Sequence, residues 1–210
     1  MLNKEIKFSF NPPSASHMGG VWERLIRSVL NILKPMLHEF GSYLDNELYR
    51  TLLCEIEAIL NSRPLTTVSG DPDDLCPLTP NHLLMMKPDV FIPPPGTFQQ
   101  NHVYARQRWK RIQYLTNVFW SRWKKEYLQS LQQRQKWNVP KRNFQPDDIV
   151  LIKEDTLPRS AWSLGRVIKT EADAHGTVRS VLLKTRGAEL KRPIHKLFLL
   201  LPPGSAQVGM

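Results

Sequence analysis

Residues 103–136 read VYARQRWKRIQYLTNVFWSRWKKEYLQSLQQRQK, and the fold turns on them. No Pro or Gly interrupts the run, and Trp109, Ile112, Phe119, Trp123, Tyr127 and Leu131 fall on one stripe at helical spacing. The rest of the surface is cationic: Arg106, Lys110, Arg111, Arg122, Lys124, Lys125, Arg134 and Lys136 stand against the single acid Glu126. At 1.5 Å per residue such a helix would reach ~45 Å, enough to span two bodies or lie along a duplex. The aromatic stripe could stack bases or pack on protein. Helical periodicity favours packing and leaves the cationic face for phosphates.

Downstream of Pro140 the pattern shortens to β-like runs at Ile149–Lys153, Trp162–Thr170, Val178–Thr185 and Ile194–Leu201, separated by turn residues. Pro146-Asp147-Asp148 is a tight turn feeding a buried strand. Four or five short strands in some sixty residues predict a small twisted barrel of the SH3-like kind. Within it Arg159, Arg166, Lys169, Arg179, Lys184, Arg186, Lys191, Arg192 and Lys196 outnumber the acids. The expected use is contact with a duplex backbone, with little base specificity, and the alternative is an ordinary solvated surface.

Upstream, Ile6, Phe8 and Phe10 alternate as a short strand that Pro12 and Pro13 terminate. A small-residue loop, Ser14–Gly20, leads into a helix carrying Val21, Trp22, Leu25, Ile26, Val29, Leu30 and Leu33. Pro35 falls in the continuing pattern and predicts a kink or break near Asn31–Lys34. A second helix is announced by Asp45 as N-cap and runs through Leu48, Leu52, Leu53, Ile56, Ile59 and Leu60 to Pro64. Thr79 before Pro80 caps a short third helix, and Pro88–Gly96 reads as a proline-dense connector.

Of the 210 residues, 41% are apolar and 23% charged, a balance that supports a packed core. The formal net charge of +10, with a pI near 9.8, points to a polyanionic partner. The two cysteines, Cys54 and Cys76, form no zinc or disulfide spacing, which suits a reducing compartment. No apolar run approaches the ~18 residues of a membrane span, so the expectation is an intracellular protein with no membrane partner. His17, His38, His82, His102, His175 and His195 are scattered without metal-ligand spacing, and Ser14 and Ser16 have no triad context.

Phe10-Asn-Pro-Pro-Ser-Ala-Ser-His-Met-Gly-Gly-Val-Trp-Glu23-Arg-Leu-Ile-Arg-Ser resembles the end of the integrase core of BEL/Pao-type retrotransposons and, more distantly, of retroviral integrases. Ile59-Leu-Asn-Ser-Arg-Pro-Leu-Thr66 and Leu78-Thr-Pro-Asn-His-Leu-Leu84 are similar to that family's closing helices. Phe144–Ile152, Leu157-Pro-Arg159, Trp162-Ser-Leu-Gly-Arg-Val167 and Arg192-Pro-Ile-His-Lys196 resemble the C-terminal domain that follows in the pol polyprotein.

The resemblance implies an α+β chain. Residues 1–87 would be the remnant of a ribonuclease-H-like catalytic core (last strand and closing helices), 88–140 a connector and basic helical linker, 141–202 an SH3-like barrel and 203–210 a loose tail. It also implies that Glu23 matches the third carboxylate of an Asp, Asp, Glu triad holding two magnesium ions for DNA integration by in-line phosphoryl transfer. The aspartates would lie upstream of Met1, so this chain is expected to need no cofactor and to bind nucleic acid without catalysis, although the parent enzyme uses Mg2+. Without the central strands of that core, the first two helices are expected to expose large apolar faces. The nucleic-acid contacts expected are Arg106, Lys110, Arg111, Arg122, Lys124, Lys125, Arg159, Arg166, Lys169, Lys184, Arg186, Lys191, Arg192 and Lys196. DNA is the expected partner, with RNA as the alternative, in a nuclear setting and with an integrase homo-oligomer as further partner. The rival reading is a protein-interaction module for chromatin peptides or multimerisation.

Overall fold

The structure, a computed structural model, describes residues 20–67, 75–86, 94–104, 106–132 and 142–203. The expected strand at Ile6–Phe10, Arg134 and Lys136 lie outside these residues. The fold is mixed helix and sheet: α1 (Gly20–Phe40), α2 (Asn46–Asn61), a two-stranded ribbon of β1 (Thr66–Thr67) and β2 (Pro77–Leu78), α3 (Pro80–Met85), α4 (Arg108–Leu131), and then β3 (Ile149–Ile152), β4 (Ser163–Ala172), β5 (Val178–Lys184), β6 (Glu189–Pro193) and β7 (Leu197–Leu201).

Local chemistry sets the helix starts. Asp45 caps α2, its carboxylate accepting from the Leu48 N–H at 2.9 Å, and Thr79 caps α3 reciprocally with His82, with Pro80 at the first helical position. The expected break at Pro35 does not occur, and α1 runs through it. Pro35 cannot donate to the Asn31 carbonyl, but both residues are exposed, so water can serve that carbonyl on the solvent side.

The long helix is shorter than expected. It spans 24 residues from Arg108 to Leu131, and Gln100–Val103 forms a separate 3-10 turn that buries Val103. Nor does α4 behave as a linker. Ile112, Leu115, Phe119, Trp120 and Trp123 join Ile32, Leu33, Met36, Phe40, Leu52, Ile56 and Ile59 in one core, so the N-terminal part of α4 covers α1 and α2. Leu128 packs with Leu75, Ile149, Leu151, Leu164 and Phe198 in a second core, so its C-terminal part covers the sheet. The α2 face expected to be open is therefore closed by α4: Leu52 and Ile59 are 1% and 0% exposed. The exposed face of α1 is real over Trp22, Ile26 and Leu30.

The five antiparallel strands lie in the order β6-β5-β4-β3-β7. Its two edge strands, β6 and β7, are joined by only Ile194–Lys196 in a 3-10 turn. A flat five-stranded sheet would hold its edges ~19 Å apart, whereas such a turn spans ~8 Å. The sheet must therefore curl until its edges approach, closing over Val150, Ile152, Val167, Val178, Val181, Leu183 and Leu197. Register shifts in β4 at Val167/Lys169 and Glu171/Ala172 supply bends. Gly165 permits close approach, since a Cβ there would meet Ile152 Cδ1 at 3.3 Å. β3 is buried along its whole length because Val150 and Ile152 face this core while Ile149 and Leu151 face α4.

Candidate nucleic-acid interface

Along the seam between α4 and the sheet, Ser121, Lys124, Lys125 and Gln129 from the helix meet Lys153 at the end of β3, forming a groove of about 490 Å³. Trp120, Leu128, Leu157 and Phe198 form an apolar floor, and Asp155 is the acid in its lining. Lys196 stands beside it, because the Lys153 N–H donates to the Lys196 carbonyl at 2.8 Å. Arg122 lies one turn before Lys125 on the same helix and is exposed.

The groove's cations are unequal. Lys124 is half-buried and donates to the Glu154 carbonyl, and burial lowers its pKa against the opposing pull of the Asp155 and Glu154 carboxylates. Lys125, Lys153 and Lys196 are exposed and form no ion pair among the described residues. Three ammonium groups from two elements, Lys124, Lys125 and Lys153, outnumber the Asp155 and Glu154 carboxylates beside them and favour phosphate oxygens over neutral ligands. Lys153 was missed in the sequence because it ends a strand whose partner helix is some thirty residues away.

On the outward face of the sheet, Arg166 of β4 stands directly across from Lys184 of β5, and Lys169 and Lys191 pair on either side of Leu182. Like charges in direct cross-strand register destabilise a sheet. Acids relieve part of this: Arg166 lies 3.9 Å from Asp147, and Lys191 is 2.5 Å from Glu171. The hydrogen bonds from Lys191 and then Ser180 hold the Glu171 carboxyl below its usual range. Lys169 and Arg186 are exposed, and Arg192 is half-buried on edge strand β6.

One expected contact residue is withdrawn. Arg159 is 5% exposed and cannot reach a phosphate, because its guanidinium is enclosed by α2 and α4. It donates to Gln113 Oε1 at 2.8 Å, Asn117 Oδ1 at 3.0 Å and Glu55 Oε2 at 3.1 Å. Burial lowers its pKa while Glu55 opposes the shift. The planar fork of donors suits this site, and the result is a polar tie between the segment preceding β4 and two helices. Arg111 is likewise occupied at least in part, donating to the Tyr43 carbonyl. Arg106 and Lys110, near the start of α4, belong to a separate patch at the far end of the helix from the groove.

Glu23 sits in the first turn of α1, half-buried. Among the described residues no group of three His, Cys, Asp or Glu side chains comes together to hold a metal, so these residues do not fit a two-magnesium centre. Nor is any described helix long and apolar enough to cross a membrane.

The helix and sheet that form the groove lie within a segment that matches a family model: residues 107–200 are similar to a family of unknown function (DUF5641). No curated protein matches the chain. No solved structure matches it either.

Proposed function

We propose that this chain binds nucleic acid, DNA in the first place, through its phosphate backbone and with little sequence preference, and that it derives from a retroelement integrase of the BEL/Pao kind. The observation that carries the binding reading is the convergence of Lys124, Lys125 and Lys153 on one groove, with Lys196 at its side, in a chain of net charge +10. The integrase ancestry rests on the ordered motifs around Glu23, Ile59–Thr66, Leu78–Leu84 and Phe144–Lys196. An SH3-like barrel is the finer description favoured by five curled antiparallel strands whose edges are joined through a short 3-10 turn. On this reading Glu23 corresponds to the third carboxylate of the family's catalytic triad, and Arg122, Lys169, Arg186 and Arg192 extend the basic surface.

The test is a salt titration of duplex affinity. Each phosphate neutralised contributes about 0.9 to the slope of log affinity against log salt, so the chain should show a slope of several units. Replacing Lys124, Lys125 and Lys153 by Gln should lower it by up to about 2.7. A wild-type slope near zero, or an unchanged slope in the variant, would overturn the reading.

A second reading, protein docking or multimerisation, is favoured by one observation: Trp22, Ile26 and Leu30 line one exposed edge of α1, and Leu83, Leu84, Met85 and Met86 are exposed in a row. Concentration-dependent sedimentation that stops when Ile26 becomes Lys would support it.

A further inference from the structure

We infer that the start of α4 carries a stacking platform for unpaired nucleobases in two parts, Trp109 on one flank of the helix and Tyr104 with Tyr43 on the other, with Arg106 and Lys110 close in sequence. This rests on the proposed nucleic-acid binding but uses a different end of the helix from the lysine groove. Trp109 is 52% exposed, Tyr104 58% and Tyr43 40%, although large aromatic side chains are usually drawn into cores. The rings are held in place: Tyr43 meets Tyr104 edge to face at 5.2 Å between centroids, and Phe98 meets Trp109 in the same way at 5.3 Å. An edge-to-face pair occupies at most one face of each ring, so every ring keeps a face that its pair partner does not use.

Helix geometry sets these residues around α4. At about 100° per residue, Trp109 lies about 60° to one side of the buried Ile112, and Arg111 about 100° to the other. Lys110, about 160° round from Ile112, then lies on the side of α4 opposite the core and is half-buried. Arg111 donates to the Tyr43 carbonyl and so ties that ring's backbone to the helix. Of the nearby acids, Asp45 and Glu47 are engaged by Arg108 at 2.6 and 3.0 Å, while Glu39 stays exposed near Tyr114, whose phenol is pushed up by burial, Glu39 and Tyr104. Arg106 and Lys110 form no ion pair among the described residues, which leaves the patch net cationic. Rigid aromatic faces beside uncommitted cations suit a flexible strand whose bases can turn outward, whereas a closed duplex hides its base faces.

The probe is an oligo-dT strand of about twelve nucleotides, compared with a duplex of equal length on the full chain. Trp109→Ala and Tyr104→Ala should each weaken oligo-dT binding about tenfold, while duplex affinity and its salt slope change by less than about twofold. Trp109→Phe should recover most of the loss, since a phenyl ring still stacks. Circular dichroism checks that each variant folds, which their half-exposed positions favour. Equal losses on strand and duplex, or no loss on the strand, overturn the platform. A chain that binds oligo-dT through Trp109 but shows no salt-dependent duplex binding would instead retain the platform and remove the groove. Binding to neither probe removes both.

Discussion

On the sheet, Ile168 is the one large hydrophobic residue exposed beyond a third among the described residues, whereas the helical layer leaves Trp22, Ile26, Leu30, Leu53, Leu83, Leu84, Met85 and Met86 open. The sheet curls over its own inner residues and sets α4 against its remaining apolar side, so its surface can be given over to charge. The apolar face of α1 runs on past its cover: Leu33, Met36 and Phe40 in its C-terminal half are buried against α2 and α4, whereas Trp22, Ile26 and Leu30, on the same face at about 100° per residue, stay open in its N-terminal half. The contrast separates two kinds of surface: one that suits a polyanion, and one that suits another apolar face. Yet the two regions share α4, so they should not unfold independently.

The strongest way to break the comparison is to hollow the shared helix. Phe119 is 0% exposed and touches the helical core, and Phe119→Ala should cost about 3–5 kcal/mol. Denaturant unfolding followed by far-UV dichroism and by tryptophan fluorescence should shift together to lower midpoints. If the sheet kept its original midpoint while the helices melted early, the two regions would be separate units.

Next comes the tie between them. Arg159→Leu removes hydrogen bonds to Gln113 Oε1, Asn117 Oδ1 and Glu55 Oε2, at a cost of about 2–4 kcal/mol, moderated because Gln113 Nε2 still donates to Glu55 Oε1 at 3.2 Å and the Glu55 side chain is 18% exposed. Arg159→Lys should recover little, since one ammonium cannot serve three acceptors arranged around a planar fork. Duplex affinity of the folded variant should be unchanged. An affinity loss at full stability would restore Arg159 to the binding surface.

A smaller effect is expected at Tyr127, whose hydroxyl donates to the Pro64 carbonyl at 2.5 Å and whose ring meets Trp162. Burial pushes this phenol up to about 12, with Arg63 opposing. Because the folded pKa lies above the ordinary value near 10, the contribution to stability is complete below pH ~10 and is lost as pH rises towards 12. Tyr127→Phe should cost about 1 kcal/mol at neutral pH and flatten the alkaline loss, measured as midpoints from pH 8 to 12. An unchanged alkaline profile would assign that loss to other groups.

These effects also mark what the sequence could reveal. The caps at Asp45 and Thr79 were legible because their partners lie three residues away. The fourth strand of the sheet was not, since Glu189-Leu190-Lys191-Arg192-Pro193 has Leu190 as its one large apolar residue and ends on Pro, as a charged edge strand does. The basic residues of the interface were legible as types but not as placements. Arg159 resembles its neighbours in composition, and only contacts 42 to 104 residues distant turn it inward. The aromatic stripe of α4 divided likewise: Phe119 and Trp123 are buried, while Trp109 is half-exposed and packs edge to face on Phe98.

The smallest stability effect belongs to the open edge of α1, and it sharpens the contrast most directly. Ile26 is 54% exposed, so Ile26→Lys should change stability by less than about 0.5 kcal/mol at low protein concentration. Leu33, seven residues further along the same face and 4% exposed where α4 covers it, should lose several kcal/mol on the same change because the ammonium has no partner there. Measured at two concentrations, the Ile26 variant distinguishes a free face from a covered one: a destabilisation that appears only at the higher concentration means that copies of the chain cover this edge. If Ile26→Lys costs as much as Leu33→Lys even when dilute, the edge is buried within the monomer, and the difference between a charge-finished sheet and an apolar-edged helical layer disappears.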